Sequence, residues 1–134
     1  MAAVVVDTNI VSFQFKRDTR AQLYDPHLIG KQCVLSFMTL AELDRWAVER
    51  NWGPARQARL DRHLSRFVIA FADRILCRWW AEACDRARRN GLPISATDAW
   101  IAATALAMAV PLVTHNPGDY AGVNGLTIIS EAGP

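Results

Sequence analysis

Cysteine is scarce and odd in number. Cys33, Cys77 and Cys84 are the only three in 134 residues, and no two stand in CxxC spacing. That excludes a disulfide framework and a zinc ribbon, and it reads as a reducing interior, the cytoplasm. Long apolar runs are missing too. The cleanest, Ala99 to Val113, is interrupted by Pro111 and falls short of the ~18 uncharged residues of a membrane span, so no membrane partner is expected. Met1 leads into Val4-Val5-Val6 with no basic stretch before it, which reads as no secretory leader. His27, His63 and His115 fall in no metal-ligand spacing and read as ordinary surface or turn residues. There is no repeat, linker or low-complexity segment. Neither charge dominates: 15 Lys+Arg stand against 13 Asp+Glu, a balance that permits a nucleic-acid partner without requiring one.

What is present suits one domain over residues 1–134, with 51% hydrophobic residues to build a core. Val4-Val5-Val6 is a β-branched run without polar alternation, as expected of a central strand covered on both faces. Cys33–Phe37, Leu112–Thr114 and Thr127–Ile129 are weaker strand candidates. Helical spacing runs from Thr39 to Arg50, Pro54 to Phe67, Arg74 to Asn90 and Ser95 to Ala109, the last apolar almost all round. Alternating strands and helices imply an α/β layered domain.

Polar groups interrupt this pattern at four places. Asp7 follows the three valines, at the carboxyl end of the expected central strand, where open α/β sheets bind their ligands. Its simpler role is to cap the next turn through Thr8 and Asn9. Glu42, in Thr39-Leu40-Ala41-Glu42, fits a capping box with Thr39 as N-cap, yet a first-turn residue after a strand also faces the same rim. Asp98 is the only formally charged side chain between Arg89 and Asp119, and Ser95 suffices to cap its helix. A carboxylate in so apolar a stretch needs a partner. Finally, Thr114-His115-Asn116-Pro117-Gly118-Asp119-Tyr120 follows a strand as an Asn-Pro-Gly turn, with Asp119 free to be a solvated turn residue. In a parallel sheet these exits share one edge. Two carboxylates about 4 Å apart repel by roughly 4 kcal/mol at an effective dielectric near 20, so three together need a cation. All-oxygen ligands select a hard ion, Mg²⁺ or Mn²⁺, which activates water against a phosphate.

The blocks Val5-Val6-Asp7-Thr8-Asn9, Thr39-Leu40-Ala41-Glu42-Leu43, Ile94 to Ala105 around Asp98, and Leu112 to Tyr120 resemble those of PIN-domain ribonucleases. The likeness is closest to the VapC toxin branch of type II toxin–antitoxin modules, and order and spacing match over essentially the whole chain. The resemblance implies a three-layer PIN-like domain, with a central parallel sheet of four or five strands flanked by helices. It implies a Mg²⁺-dependent endoribonuclease, with Mn²⁺ a substitute, acting as a toxin held by a VapB-like antitoxin and forming a homodimer. Asp7, Glu42 and Asp98 fall on the family's acidic triad, Asp7 and Asp98 being the expected metal ligands and Glu42 the group that positions or deprotonates water. Asn116 stands where the family often has a fourth acid, so Asn116 or Asp119 fills that position. Thr8 or Asn9 is expected to support Asp7, and Thr8, Asn9, Arg17 and Arg20 are candidate substrate-binding residues.

Arg56, Arg59, Arg62 and Arg66, with His63, recur at spacings of 3, 3 and 4 along one helix. Three uses are open: the solvated back of an amphipathic helix, a phosphate-binding stripe, or a dock for an acidic or aromatic segment of a partner. Trp46, Trp52, Trp79, Trp80 and Trp100 are numerous; exposed ones would anchor a partner, whereas Trp100 is expected in the core. Two other readings of the chain remain: a PIN nuclease of RNA processing or decay without a toxin role, and a catalytically silent RNA- or protein-binding scaffold. A phospho-acceptor receiver domain is excluded, because it needs a late lysine and the last one is Lys31.

Overall fold

Val4 and Val6 point to one side of β1 (Ala3–Val6) and Val5 to the other, and this alternation divides the chain into layers. The three valines are at most 3% exposed, each burial worth about 1.5–3 kcal/mol relative to exposure. The computed structural model describes residues 2–133. After β1 come α1 (Thr8–Lys16), a 3₁₀ segment (Thr19–Tyr24), α2 (Asp25–Leu28) and β2 (Gln32–Ser36). Next are α3 (Phe37–Glu49), α4 (Pro54–Leu64), β3 (Val68–Ala70), α5 (Arg74–Arg89) and α6 (Ala96–Met108). The chain closes with β4 (Leu112–Val113), a short 3₁₀ turn (Pro117–Tyr120) and β5 (Ile128–Ile129).

All five strands are parallel, in the order β3-β2-β1-β4-β5. Ile10, Val11, Phe15, Leu43 and Leu60, from α1, α3 and α4, cover the Val4/Val6 face. Ala83, Ala87, Ile101, Ala102 and Ala105, from α5 and α6, cover the Val5 face. This is a three-layer α/β domain with a five-stranded parallel sheet, as expected. Among the described residues no helix is long and apolar enough to cross a membrane. The chain runs from β1 outward to β2 and β3 and returns on the other side as β4, so strand order reverses at β1. Such a switch point opens a crevice at the carboxyl ends of the strands. Register sets its depth: Val6 pairs with Val113, so Asp7 and Thr114 leave the sheet at one level.

Three expectations need correction. The Pro54–Phe67 helix stops at Leu64, and the apolar residues after it form β3, a short edge strand with no alternation to mark it. The stretch after Asp7 is more than a turn: α1 is a nine-residue helix with Asp7 as N-cap. Thr39 is not the N-cap of α3. Ser36, extended at φ −63° and ψ 145°, accepts from the Met38 N–H, and the helix begins at Phe37. The predicted capping box therefore does not form, and Glu42 lies beyond the first turn with no capping role.

Candidate active site at the sheet switch point

Asp7 is 6% exposed, and its donors are all neutral. The Thr8 N–H donates to Oδ1 at 2.7 Å, while Thr114 Oγ1 and the Tyr120 hydroxyl donate to Oδ2 at 2.7 and 3.0 Å. Burial pushes the Asp7 pKa up, the Thr114, Tyr120 and Thr8 hydrogen bonds pull it down, and the Asp98 charge adds to the rise.

Asp98 arrives from the opposite layer, on the first turn of α6. The Ser95 hydroxyl caps this helix by accepting the Asp98 N–H at 3.1 Å, which aims the side chain back over the rim. Tyr120 Oη lies 3.4 Å from Asp98 Oδ1. Tyr120 is 1% exposed, and its single phenolic proton serves the nearer Asp7. Desolvation raises the pKa of Asp98, the Ser95 hydroxyl opposes it, the neighbouring Asp119 charge adds to it, and Tyr120 opposes it. Burial between these acids pushes the Tyr120 hydroxyl far above its ordinary value.

Glu42 approaches from α3. Thr8 Oγ1 donates to Glu42 Oε1 at 2.9 Å and lies 2.9 Å from Thr39 Oγ1. Since Thr8 has one hydroxyl proton, Thr39 donates to Thr8 and Thr8 to Glu42. Thr39, expected as a cap, is therefore the buried end of a relay that orients the acid. Burial raises the Glu42 pKa, the Thr8 bond lowers it, and Asp7 and Asp98 raise it further. Each of these two acids thus contributes to the rise at Glu42, and all three carboxylates gather around the switch point with no basic side chain bonded to any of them among the described residues.

Among the described residues no group of three His, Cys, Asp or Glu side chains forms a ready metal cage. Magnesium does not require one, because it keeps several waters and is held by one or two carboxylates. Asp7 and Asp98, both desolvated and neither paired with a basic side chain among the described residues, fit that requirement.

The other expected residues divide. Asn9 supports Asp7 at one remove: its Nδ2 donates to Thr114 Oγ1 at 3.4 Å and its Oδ1 accepts the His115 N–H at 3.2 Å. Asn116 is exposed, with its backbone N–H donating to Thr114 Oγ1 at 3.0 Å. Asp119 is exposed beside Asp98, and both line a hollow of about 340 Å³ with Leu92, Pro93, Ser95 and Gly118. Arg20 is held by Asp18 at 2.7 Å and stacks over Phe13, and Arg17 lies at the far end of α1; neither reaches the acids. His115 and His63 are half-buried, His115 bonded to the Tyr24 hydroxyl and edge-on to Phe13. Trp100 is half-buried rather than core, stacked on Trp80 at 5.2 Å. Trp46 and Trp52 are half-buried beneath cations, Arg50 over the first and Arg56 over the second. Sequence reasoning missed the roles of Thr114 and Tyr120. The available signal was their place beside Asn116 and Asp119 in the turn that follows β4.

Comparison with known proteins finds relatives over nearly the whole chain. The chain is 30% identical over 138 residues to the plasmid stability protein StbB of Pseudomonas syringae pv. tomato, covering 95% of this chain and 96% of that protein. It is 26% identical over 125 residues to ribonuclease VapC1 of Haemophilus influenzae strain R2866, covering 91% and 92%. In three dimensions it is similar to a chain of VapBC2 from Rickettsia felis, solved bound to a DNA fragment from their promoter. The TM-score is 0.82 at 23% identity, covering 96% of this chain and 98% of that one. The PIN domain family matches residues 4–123, from β1 past the last turn of the acidic rim, and the chain belongs to that family.

Proposed function

We propose that this chain is a Mg²⁺-dependent endoribonuclease of the VapC type, acting in the cytoplasm as the toxin partner of a protein antitoxin and working as a homodimer. The observation that carries the chemistry is the gathering of Asp7, Asp98 and Glu42 at the switch point with only neutral donors among them. The similarity to ribonuclease VapC1 and to a VapBC complex supports the choice of RNA and of an antitoxin.

Asp7 and Asp98 would hold the ion, with Mn²⁺ a substitute. Bound there, Mg²⁺ supplies an activated water and neutralises the non-bridging oxygens of the phosphodiester. Glu42 Oε1, aimed by Thr8, orients the attacking water and takes its proton. Thr114 and Tyr120 fix the Asp7 carboxylate so that little reorganisation accompanies the reaction. Asp119 supplies the fourth carboxylate beside Asp98, and Asn116 orients a water through its side-chain carbonyl. Thr8 and Asn9 act behind the acids rather than on the RNA itself.

Purified protein freed of any antitoxin, incubated with structured and unstructured RNA, tests the reading. Cleavage is expected with Mg²⁺ or Mn²⁺, none with EDTA, and a loss exceeding ~100-fold in Asp7→Ala and Asp98→Ala, more than removal of an outer contact costs. Cleavage that survives in EDTA or in both variants overturns it.

A further inference from the structure

A rim of carboxylates repels the polyanion it is proposed to cut, so binding must be supplied elsewhere on the chain. Gln14 and Arg17 of α1, and Arg59, Arg62, His63 and Arg66 on and just beyond α4, enclose a hollow of about 420 Å³. Lys16, Arg56 and Arg59 line a second of about 470 Å³, and Arg59 belongs to both, so the two form one track. No carboxylate lines either hollow. Among the described residues, Arg17, Arg59, Arg62 and Arg66 pair with no acid, whereas Arg20, Arg45, Arg86, Arg88 and Arg89 all do.

The cations are also pre-positioned. Arg59 lies over Phe15 at 4.3 Å and Arg56 over Trp52 at 4.2 Å. Stacking occupies the face of a guanidinium and leaves its in-plane N–H donors free for a phosphate fork. His63 is bonded to Gln14 at 3.1 Å and forms a polar floor. The exposed apolar side chains that would anchor an amphipathic peptide, Ile29, Val48, Phe71 and Ile75, lie outside both hollows. A ligand of repeating charge suits this track better than a peptide with apolar anchors. The ten steps along α1 from its N-cap Asp7 to its C-cap Arg17, at ~1.5 Å each, set Arg17 roughly 15 Å from Asp7. That is too far for the scissile phosphate and within reach of the same strand.

We infer that the α1/α4 track is an exosite for the phosphodiester backbone of RNA outside the scissile bond, with Arg59, Arg62 and Arg66 as its central contacts. The choice of RNA as the polyanion rests on the ribonuclease reading above. Binding of an unstructured 20-nucleotide RNA is measured in EDTA, where no metal-dependent cleavage occurs, across a salt series. R59Q/R62Q/R66Q should weaken binding at least about tenfold and flatten the log–log salt slope by about 2, at ~0.7 per lost phosphate contact. R74Q/R88Q/R89Q removes the same formal charge elsewhere and should weaken it less than about twofold. R59K/R62K/R66K keeps the charge without the planar fork and should restore the salt slope with only part of the affinity, which separates lost contacts from lost folding.

Equal losses in the two glutamine variants would reduce the track to net charge and overturn the proposal. So would an unchanged affinity in R59Q/R62Q/R66Q, or arginine-dependent binding of a polyglutamate 20-mer to which RNA is indifferent, the sign of an acidic protein partner. RNA bound through the track by a protein that never cleaves RNA would overturn the nuclease reading alone. Cleavage with no arginine dependence of binding would overturn the track alone.

Discussion

The acidic rim and the basic track both concentrate one sign of charge without a counter-ion among the described residues, but they are built in opposite ways. At the rim, Asp7 is almost wholly buried and its two side-chain donors come from residues 107 and 113 positions away. Along the track, the arginines are exposed and sit on α4, just beyond it and at the end of α1, with Arg59 stacked on Phe15. Desolvation makes every charge at the rim expensive, and this cost is what the proposed cation would offset. Water screens the track, which stays charged at small cost and gives up its interactions as salt rises. Under the two proposals, chemistry and holding fall to separate surfaces joined by α1, which starts directly after Asp7 and ends at Lys16.

The largest expected effect that sharpens this contrast comes from one oxygen atom. Tyr120→Phe keeps the ring in the core and removes the only hydroxyl among the described residues that reaches both Asp7 and Asp98. Metal affinity, followed by calorimetry or by Mn²⁺ electron paramagnetic resonance, should fall about 10- to 100-fold. RNA binding in EDTA should stay at the wild-type value. A Tyr120→Phe protein that binds metal as wild type does would mean that the phenol merely fills space.

A smaller effect is expected in the stability of the metal-free protein against pH. Burial raises the pKa values of Asp7, Glu42 and Asp98, so the native state holds their protons more tightly than the unfolded chain does. Their contribution to stability is therefore present in acid. It is lost as pH climbs from the ordinary values of 3.8 and 4.5 through the raised native ones. Thermal melts in EDTA from about pH 4.5 to 7.5 should show this decline, and Mg²⁺ should offset it at the neutral end. A melting temperature flat or rising over that interval in EDTA would show that the rim tolerates its charges unaided.

Much of both regions is legible in the sequence, for different reasons. Asp7 announces itself because a charge after three valines breaks the pattern of a buried strand, and Asp98 because it interrupts a helix that is otherwise apolar. The arginine stripe follows from helical spacing alone, but not its concave form, which needs α1 and α4 side by side. Thr114 and Tyr120 were hidden because their partners lie across the sheet, and local chemistry explains a Thr and a Tyr after a strand equally well. Thr39 misled for a similar reason. It suits an N-cap locally, but Ser36 takes that place at the end of β2, and Thr8 draws Thr39 into the relay to Glu42. β3 escaped because three apolar residues at a sheet edge carry no alternation, and pairing with β2 alone makes them a strand.

Calorimetric titration of Mg²⁺ into wild type, Asp98→Asn and R59Q/R62Q/R66Q at neutral pH tests the central claim, that the rim is a cation-requiring centre distinct from the track. Saturable binding in wild type, lost in Asp98→Asn and kept in R59Q/R62Q/R66Q, is the predicted result. Saturable binding that persists undiminished in Asp98→Asn would contradict it and place the ion away from the switch point.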